Sequence, residues 1–394
     1  MTKDMTEGAI PPLLVGFTIP LVLGNLFQLF YNAVDSMIVG KFVGETALAA
    51  VGTSSPLMTL AILFISGMCM GAGVLMGMHY GAKDYDVLER QISSTMIGGL
   101  MFSVLLSAVC VFLTPWLLRL IRTQEEVLPI ATGYLRIIFC GLIFTFIYNF
   151  YASTLRALGD SRSPLYFLMI SAALNVAGDL FFVVVLGWGS NGCAFSTVLS
   201  EALCCLLCGL YIKKKVKILC LGRKWRVFDR RLFYKTVQFG WVSAMQQATV
   251  QLGKIGIQAI VNTMGISVMA AFAVVNRIDD FAYTPEQNIA HAMTALLAQN
   301  KGAGKKERIR EGFRCGLWIE MIYALFICVV CFVFARPLMK LFVTDEEVIS
   351  LGVVYLHAIA VMYFLPAATN GIQGYFRGCL LYTSDAADDR ISVD

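Results

Sequence analysis

The sequence has few charged residues. They make up 14% of its 394 residues, whereas hydrophobic residues make up 58% and the mean hydropathy is +0.72. Soluble domains carry about 25% charged residues. The apolar residues occur in blocks of about twenty, the length that crosses a hydrocarbon core of ~30 Å. The short alternating segments of an outer-membrane barrel are missing. These features exclude a soluble domain and predict an all-α, polytopic transmembrane helical bundle.

Three sequence features of enzymes are also absent. No G-x-x-x-x-G-K-[ST] loop is present, which excludes an internal P-loop ATPase. An intramembrane prenyl transferase would need two acidic metal-binding motifs, and Asp279-Asp280 is the only such pair before residue 380. The three histidines share no spacing that suggests a site. We therefore do not expect an enzyme. The twelve cysteines lie mostly in apolar segments, where they act as small hydrophobes.

The apolar blocks predict ten spans between residues 15 and 379, with no cleavable signal peptide before the first. Lys and Arg set the orientation, because cytoplasmic loops carry an excess of both. With the N-terminus inside, the basic run 213–236 and the loop KGAGKKERIREGFR are cytoplasmic, and the outside loops hold only five basic residues. We expect a cytoplasmic N-terminus, and we interpret the basic run as a connector between membrane segments, not as a nucleic-acid site.

Two copies of one unit follow each other at a shift of 221 residues. Gly44 then aligns with Gly265, and Arg156 aligns with Arg377. The first copy has six predicted spans, so both copies enter the membrane in the same direction, and we expect two pseudo-symmetric lobes around a central cavity. The predicted organisation is an N-terminal lobe (1–212), a basic cytoplasmic connector (213–236), a C-terminal lobe truncated to about four helices (237–379) and a tail (380–394).

The tail does not continue the repeat. After Cys379 the repeat predicts a counterpart of GDSRSP and two more spans, but the chain reads LLYTSDAADDRISVD. We interpret residues 380–394 as non-native, a truncation scar or foreign sequence. A genuine regulatory tail is the alternative.

With the repeat established, the sequence resembles the MATE family of multidrug and toxin extrusion proteins, and its DinF-like branch more than its NorM branch. The resemblance covers residues 10–379 and is carried by IPLVLGNLFQLFYNAVDSMIVG, YGAKD, TLRALGDSRSP, ALNVAGDLFFV, AAFAVVNRIDDF and QNKGAGK. It implies a secondary antiporter of a bacterial cytoplasmic membrane, a monomer among lipids. Such a protein exports cationic amphipathic molecules in exchange for H⁺ or Na⁺, without another cofactor.

The resemblance also implies a cation site in the N-terminal lobe. Its matching residues, which would hold H⁺ or Na⁺, are Asp35, Asn175, Asp179, Thr197 and Tyr134. The NorM branch has an additional acid on the seventh helix, where this chain has Gln246 and Gln247. A second cation site in the C-terminal lobe is therefore not expected.

The residues support this site independently of the resemblance. Asp35 is the only charged residue in its span, and a carboxylate in hydrocarbon is costly unless it faces the protein interior or a watery cavity. At 1.5 Å per residue, Asp35, Asp179 and Thr197 lie about 8–10 Å from the outer ends of their helices. Asp35 aligns with Gly256, so the acid is not part of the duplicated scaffold. Oxygen ligands without a thiol favour H⁺ or Na⁺ over zinc. A purely structural role for Asp35 is the alternative.

Other polar residues are weaker candidates. Possible cavity residues are Glu201, Gln246, Gln247, Asn276, Arg277 and Asp280. Asn276, Arg277, Asp279 and Asp280 form a sequence cluster, the Arg277 cluster. A local ion pair of Arg277 with Asp279 or Asp280 is the simpler interpretation of this cluster. Pro20 predicts a kink in the first span, either plain curvature or a hinge that responds to protonation of Asp35.

A flippase of lipid-linked precursors is the alternative function, because such proteins share a similar two-lobe plan. Its cavity would need basic residues for a pyrophosphate, and only Arg136, Lys254 and Arg277 lie within the predicted spans away from their ends. The acids of the first lobe therefore favour the cation antiporter.

Overall fold

The structure is a computed structural model that describes residues 4–216, 227–261 and 263–379. These residues form helices and turns with no strand, which confirms the all-α fold. The predicted tail, 380–394, lies outside the described residues, as does part of the predicted connector, 217–226.

Thirteen α-helices follow one another in the described residues. The first seven are α1 (Ile10–Phe42), α2 (Glu45–Gly81), α3 (Tyr85–Leu120), α4 (Leu128–Cys140), α5 (Leu142–Ala157), α6 (Arg162–Asp179) and α7 (Gly189–Lys215). A π-helical turn, Leu180–Val185, extends α6. The others are α8 (Arg230–Val261), α9 (Ile266–Gly302), α10 (Lys306–Val333), α11 (Ala335–Lys340), α12 (Glu346–Met362) and α13 (Phe364–Gly378).

Six helices in the described part of the chain are long and apolar enough to cross a membrane: α1, α2, α3, α6 with its π-helical turn, α7 and α10. The number is eight if each of two bent pairs counts as one span. These pairs are α4 with α5, bent by 44°, and α12 with α13, bent by 40°. The sequence predicts α8 and α9 as spans too, and they have the length, but they are less apolar than these six.

The helix bounds repeat with the same shift as the sequence. α2 covers residues 45–81 and α9 covers 266–302, so both ends differ by 221 residues. The caps also match, because Gly44 and Gly265 precede these helices with φ values of 115° and 101°. Only glycine adopts this region of φ readily. The paired glycines are thus explained by the backbone that both copies require.

One compact unit includes Leu23–Met245. Its core lies where α2, α3, α4, α5 and α7 meet, and Phe139, Phe146 and Phe150 are its largest fully buried side chains. The first half of α8 belongs to this unit. Gln91 of α3 donates a hydrogen bond of 2.5 Å to Thr236 of α8, and both side chains are fully buried.

The other compact unit comprises Asp4–Val22 and the described residues from Gln246 onward. It contains the first half of α1, whose Leu14 and Phe17 pack in one cluster with Met293 and Leu297 of α9. α1 is therefore divided between the units just after Pro20, although its helix runs through this residue without a break. α8 is divided in the same way. The lobes inferred from the repeat, with boundaries at 212 and 237, stay a prediction.

The turn before α6 is fixed by a capping carboxylate. Asp160 accepts hydrogen bonds from the backbone N–H groups of Arg162 and Ser163, at 3.1 and 3.0 Å, and from the Ser163 hydroxyl at 2.6 Å. Burial acts to raise the pKa of Asp160, but these bonds to its ionised form outweigh burial and lower it. An ionised cap therefore holds the start of the helix that carries Asn175 and Asp179.

Candidate functional site

Two carboxyl groups and one thiol meet between α1, α6 and α7. A ligand atom from each of Asp35, Asp179 and Cys193 lies within 4.8 Å of the other two. The Cys193 thiol donates to Asp179 Oδ2 at 3.7 Å. Asp179 is fully buried and Cys193 nearly so, whereas Asp35 is half-buried. The structure therefore brings the two predicted acids together and adds a thiol to them.

The pair of acids is unsatisfied as it stands. A carboxylate oxygen of Asp35 and one of Asp179 lie within 4.8 Å of each other. The Oδ1 atoms of both are nevertheless buried, and no N–H or O–H donor reaches them. Two acceptor oxygens attract each other only if one carries a proton or if a cation lies between them. The geometry is thus that of a site for one H⁺ or one small cation.

Asn175 and Thr197 form the next layer. Asn175 Nδ2 donates to the Thr197 hydroxyl at 3.2 Å, and that hydroxyl donates to the carbonyl of Cys193 at 3.1 Å. Ser196 donates to the Asn175 carbonyl at 2.8 Å. Asn175 Oδ1 remains buried without a donor. These bonds join α6 to α7 one turn from Asp179 and leave another oxygen free to face a cation.

α6 packs closely on α7 at this level. A Cβ atom on Gly178 would collide with the Ser196 hydroxyl, so the residue beside Asp179 has to be small. The π-helical turn that follows Asp179 widens the helix directly after the acid. Such insertions are frequent at functional sites because they redirect the residues at their ends.

Tyr134 and Glu201 lie on α4 and α7 of the same compact unit. Tyr134 is buried in the core cluster that also contains Ala194, the residue after Cys193. Glu201 accepts a hydrogen bond of 2.7 Å from Thr145 of α5. Tyr134 therefore packs in the same core as the helix that carries Cys193, and Glu201 has a local partner on α5.

The candidates of the second copy have local partners of their own. Gln246 accepts a hydrogen bond of 2.6 Å from Arg377. Asp280 pairs with Lys254 at 3.6 Å, and Asp279 accepts a hydrogen bond of 3.0 Å from Tyr363. Of the remaining candidates, Gln247 and Asn276 are half-buried and Arg277 is exposed.

The simple interpretation of the Arg277 cluster is therefore corrected. Its acids bind the side chains of Lys254 and Tyr363, which come from α8 and the α12–α13 bend. The sequence interval suggested Arg277 as the partner, but packing against other helices offers closer groups. None of these contacts resembles the unsatisfied pair of the first copy.

Sequence reasoning missed Cys193. A signal was available, because Cys193 lies four residues before Thr197 and so shares its helix face. The structure adds this thiol to the oxygen ligands that the sequence predicts, and the identity of the bound ion stays a prediction. The thiol contacts Asp179 directly.

Two buried acids of the second copy were also missed. Glu286 of α9 and Glu320 of α10 are fully buried, and none of their four carboxyl oxygens has a hydrogen-bond partner. Their repeat counterparts are Ile65 and Gly99, so neither acid belongs to the shared scaffold. A local sequence signal was present for Glu320, which lies within an apolar run, but not for Glu286, which has polar neighbours.

We expect Glu286→Met and Glu320→Met to stabilise the protein. Each change removes an unsatisfied buried carboxyl group, whose desolvation costs about 1–3 kcal/mol, and keeps a side chain of similar volume. The midpoint of thermal unfolding in detergent should rise for each variant. Glu307→Met, at an exposed position on α10, is the control and should leave the midpoint unchanged. A lower midpoint for either buried variant would show that its carboxyl group has a stabilising partner.

The comparisons with known proteins agree on one family. The family model described as MatE matches residues 20–181 and 243–380. The probable multidrug resistance protein YpnP of Bacillus subtilis (strain 168) is 31% identical over 362 residues, which cover 91% of this chain and 80% of that protein. The probable multidrug resistance protein YoeA of the same organism is 30% identical over 345 residues, with coverage of 85% and 74%.

Solved structures match over nearly the whole chain. A MATE protein crystallised in complex with MaL6 is similar with a TM-score of 0.89 at 21% identity, covering 96% of this chain and 86% of that one. An outward-facing conformation of a multidrug resistance MATE family transporter gives a TM-score of 0.88, also at 21% identity, with coverage of 96% and 84%. At this identity the likeness supports the fold alone.

Proposed function

Because the chain belongs to the MatE family of multidrug efflux transporters, we propose that it is a secondary antiporter that exports organic cations in exchange for H⁺ or Na⁺. Asp35 and Asp179 carry the coupling ion. Asn175, Thr197 and Tyr134 complete its site. The protein works as a monomer in a bacterial cytoplasmic membrane, with its N-terminus in the cytoplasm.

The observation that carries this proposal is the unsatisfied pair of acids. Buried carboxyl oxygens without donors are destabilising unless a cation occupies the space between them. Ionisable residues that face each other within membrane spans commonly mark ion pathways and proton relays. A proton or a sodium ion meets the requirement, because both bind carboxylate and amide oxygens.

Coupling then requires two conformations that bind the cation differently. The site joins the second half of α1 to α6 and α7, and all three belong to one compact unit. With the cation bound, the carboxyl groups attract the same charge and draw these helices together. Without it the carboxylates repel each other, and α1 separates from α6 and α7.

The test is export of ethidium from energised cells and from proteoliposomes. In proteoliposomes, a pH gradient and a sodium gradient are imposed separately, and ethidium movement against its own gradient is followed by fluorescence. We expect one of the two gradients to drive transport, and that gradient identifies the ion. Dissipating it with an ionophore should stop transport at once.

The flippase is an alternative outcome of the same experiment. Neither gradient would then move ethidium or other organic cations, although the protein is folded in the liposome. Translocation of a fluorescent pyrophosphate-linked lipid by the same liposomes would identify that activity and overturn the antiporter proposal.

A further inference from the structure

We propose that Asp35, Asp179 and Cys193 form a binding site for a thiophilic divalent cation of the Zn²⁺ or Cd²⁺ class, and that such an ion blocks transport. The metal site rests on the geometry of the three side chains. The block rests on the proposed function, because it requires that the same acids carry the coupling ion.

The spacing of the ligand atoms fits one metal ion. The Cys193 sulfur and a carboxylate oxygen from each acid all lie within 4.8 Å of one another. Ligand atoms around tetrahedral Zn²⁺, with bonds of about 2.0–2.3 Å, are separated by roughly 3.5 Å. Movements of about an ångström, within the range of side-chain adjustment, therefore close the set.

Unsatisfied buried atoms belong to the site residue Asp179 and to Asn175, one helical turn before it. Asp179 is fully buried, and its Oδ1 atom has no donor. Asn175 is nearly fully buried, and its Oδ1 atom also has no donor. A metal ion would supply what these oxygens lack. Asp35, the half-buried member, is the side chain past which an ion would enter.

The sulfur decides which ion is preferred. Na⁺ and Mg²⁺ prefer oxygen ligands, whereas thiolates select soft or borderline ions such as Zn²⁺ and Cd²⁺. Three protein ligands with one position left open for water is a common zinc arrangement. Binding releases the thiol proton of Cys193, and any proton shared by the acids, to water. The bound ion is then coordinated by two carboxylates and one thiolate.

A bound metal ion blocks transport because it links three helices. The ligands come from α1, α6 and α7, so a bound metal fixes the distances that have to change during coupling. It also occupies the acids and excludes H⁺ or Na⁺. Inhibition should therefore be competitive with the coupling ion and should be reversed by a chelator.

The first experiment measures binding directly. Purified protein is titrated with Cd²⁺, and the thiolate-to-metal charge-transfer absorbance is recorded for wild type, Cys193→Ser and Asp179→Asn. We expect each substitution to weaken the tightest binding step at least about tenfold, since loss of even a second-shell partner weakens metal sites 10–100-fold. Cys208→Ser is the matched control, because Cys208 is another buried thiol on α7. Equal titrations of Cys193→Ser and wild type would overturn the site.

The second experiment measures inhibition. Each variant's ethidium export is normalised to its own rate without Cd²⁺, so that a change in basal activity does not enter the comparison. Wild type and Cys208→Ser should be inhibited at the concentrations that saturate the tight site, and Cys193→Ser should require at least about ten times more Cd²⁺. Tight binding without inhibition would confirm the metal site and contradict the coupling role of the acids. The two proposals can therefore fail separately.

Discussion

Asp35→Asn is expected to lower gradient-driven ethidium export at least about tenfold while the protein reaches the membrane in normal amounts. Asparagine keeps the size of the side chain and can still form hydrogen bonds. It cannot release a proton or offer a charge to Na⁺, so both conformations would hold the cation equally poorly, and a ligand with no preference shifts no equilibrium.

The structure gives a reason to expect a large effect from this one position. Asp35 is the only member of the site on α1, and Asp179 faces it from α6. In the Asp35→Asn variant, the new amide group can donate a hydrogen bond to the unsatisfied Oδ1 of Asp179. The pair would then be satisfied without any cation, and the need for H⁺ or Na⁺ would be lost.

Two further variants test the interpretation of this result. Asp35→Glu keeps a carboxyl group and should retain part of the export. Glu307→Gln removes an exposed carboxylate that pairs with Arg310 at 3.9 Å, and it should export like wild type. If Asp35→Asn exports normally at wild-type membrane levels, Asp35 is a structural residue and the coupling site lies elsewhere.

Gly71→Leu is expected to prevent correct folding of the first compact unit. Gly67 and Gly71 lie on one face of α2, against the first half of α8. A Cβ atom on Gly71 would lie 2.5 Å from the backbone nitrogen of Gly240, and one on Gly240 would lie 2.7 Å from Cα of Met68. The two backbones therefore touch, which small residues at four-residue intervals permit in membrane helices.

The collision has no flexible atom to absorb it. Overpacking a side chain against other side chains costs about 1–3 kcal/mol, and here the neighbour is a helix backbone. α8 would have to move away from α2, and the buried bond between Gln91 and Thr236 would break with it. We expect loss of most folded protein, measured as the monodisperse fraction in size-exclusion chromatography, together with loss of export.

Gly52→Leu is the matched control for this prediction. Gly52 lies on the same helix, and a Cβ atom there would meet nothing within 4 Å. It makes the same change in helix propensity and hydrophobicity without the collision. A Gly71→Leu protein that stays as monodisperse as Gly52→Leu would mean that α2 and α8 do not touch in the membrane.

Close approach of this kind cannot be read from one sequence. The spacing of Gly67 and Gly71 is a signal for a tight helix crossing, but it does not identify the partner helix. Sequence periodicity also cannot assign each half of α8 to a different compact unit. Such an assignment depends on which surfaces fit, and the first half of α8 fits α2 and α3 through Gly240 and Thr236.

The charged residues of the site were predictable from the sequence. Asp35 stands alone in an apolar span, and Asp179 lies four residues from Asn175 on one helix face. Cys193 gave no such signal, because a cysteine in an apolar segment is most often a small hydrophobe. Its thiol matters only because α7 places it against Asp179.

The sequence by itself determined the helical membrane fold, the repeat of 221 residues and the helix bounds that follow it. These features depend on hydrophobic length and local backbone preference, which each segment carries on its own. Only the tertiary structure decided that Asp35 and Asp179 meet with their Oδ1 atoms lacking a donor, that Cys193 joins them and that Glu286 and Glu320 are unsatisfied. Those facts depend on distances between helices, which packing sets after the helices have formed.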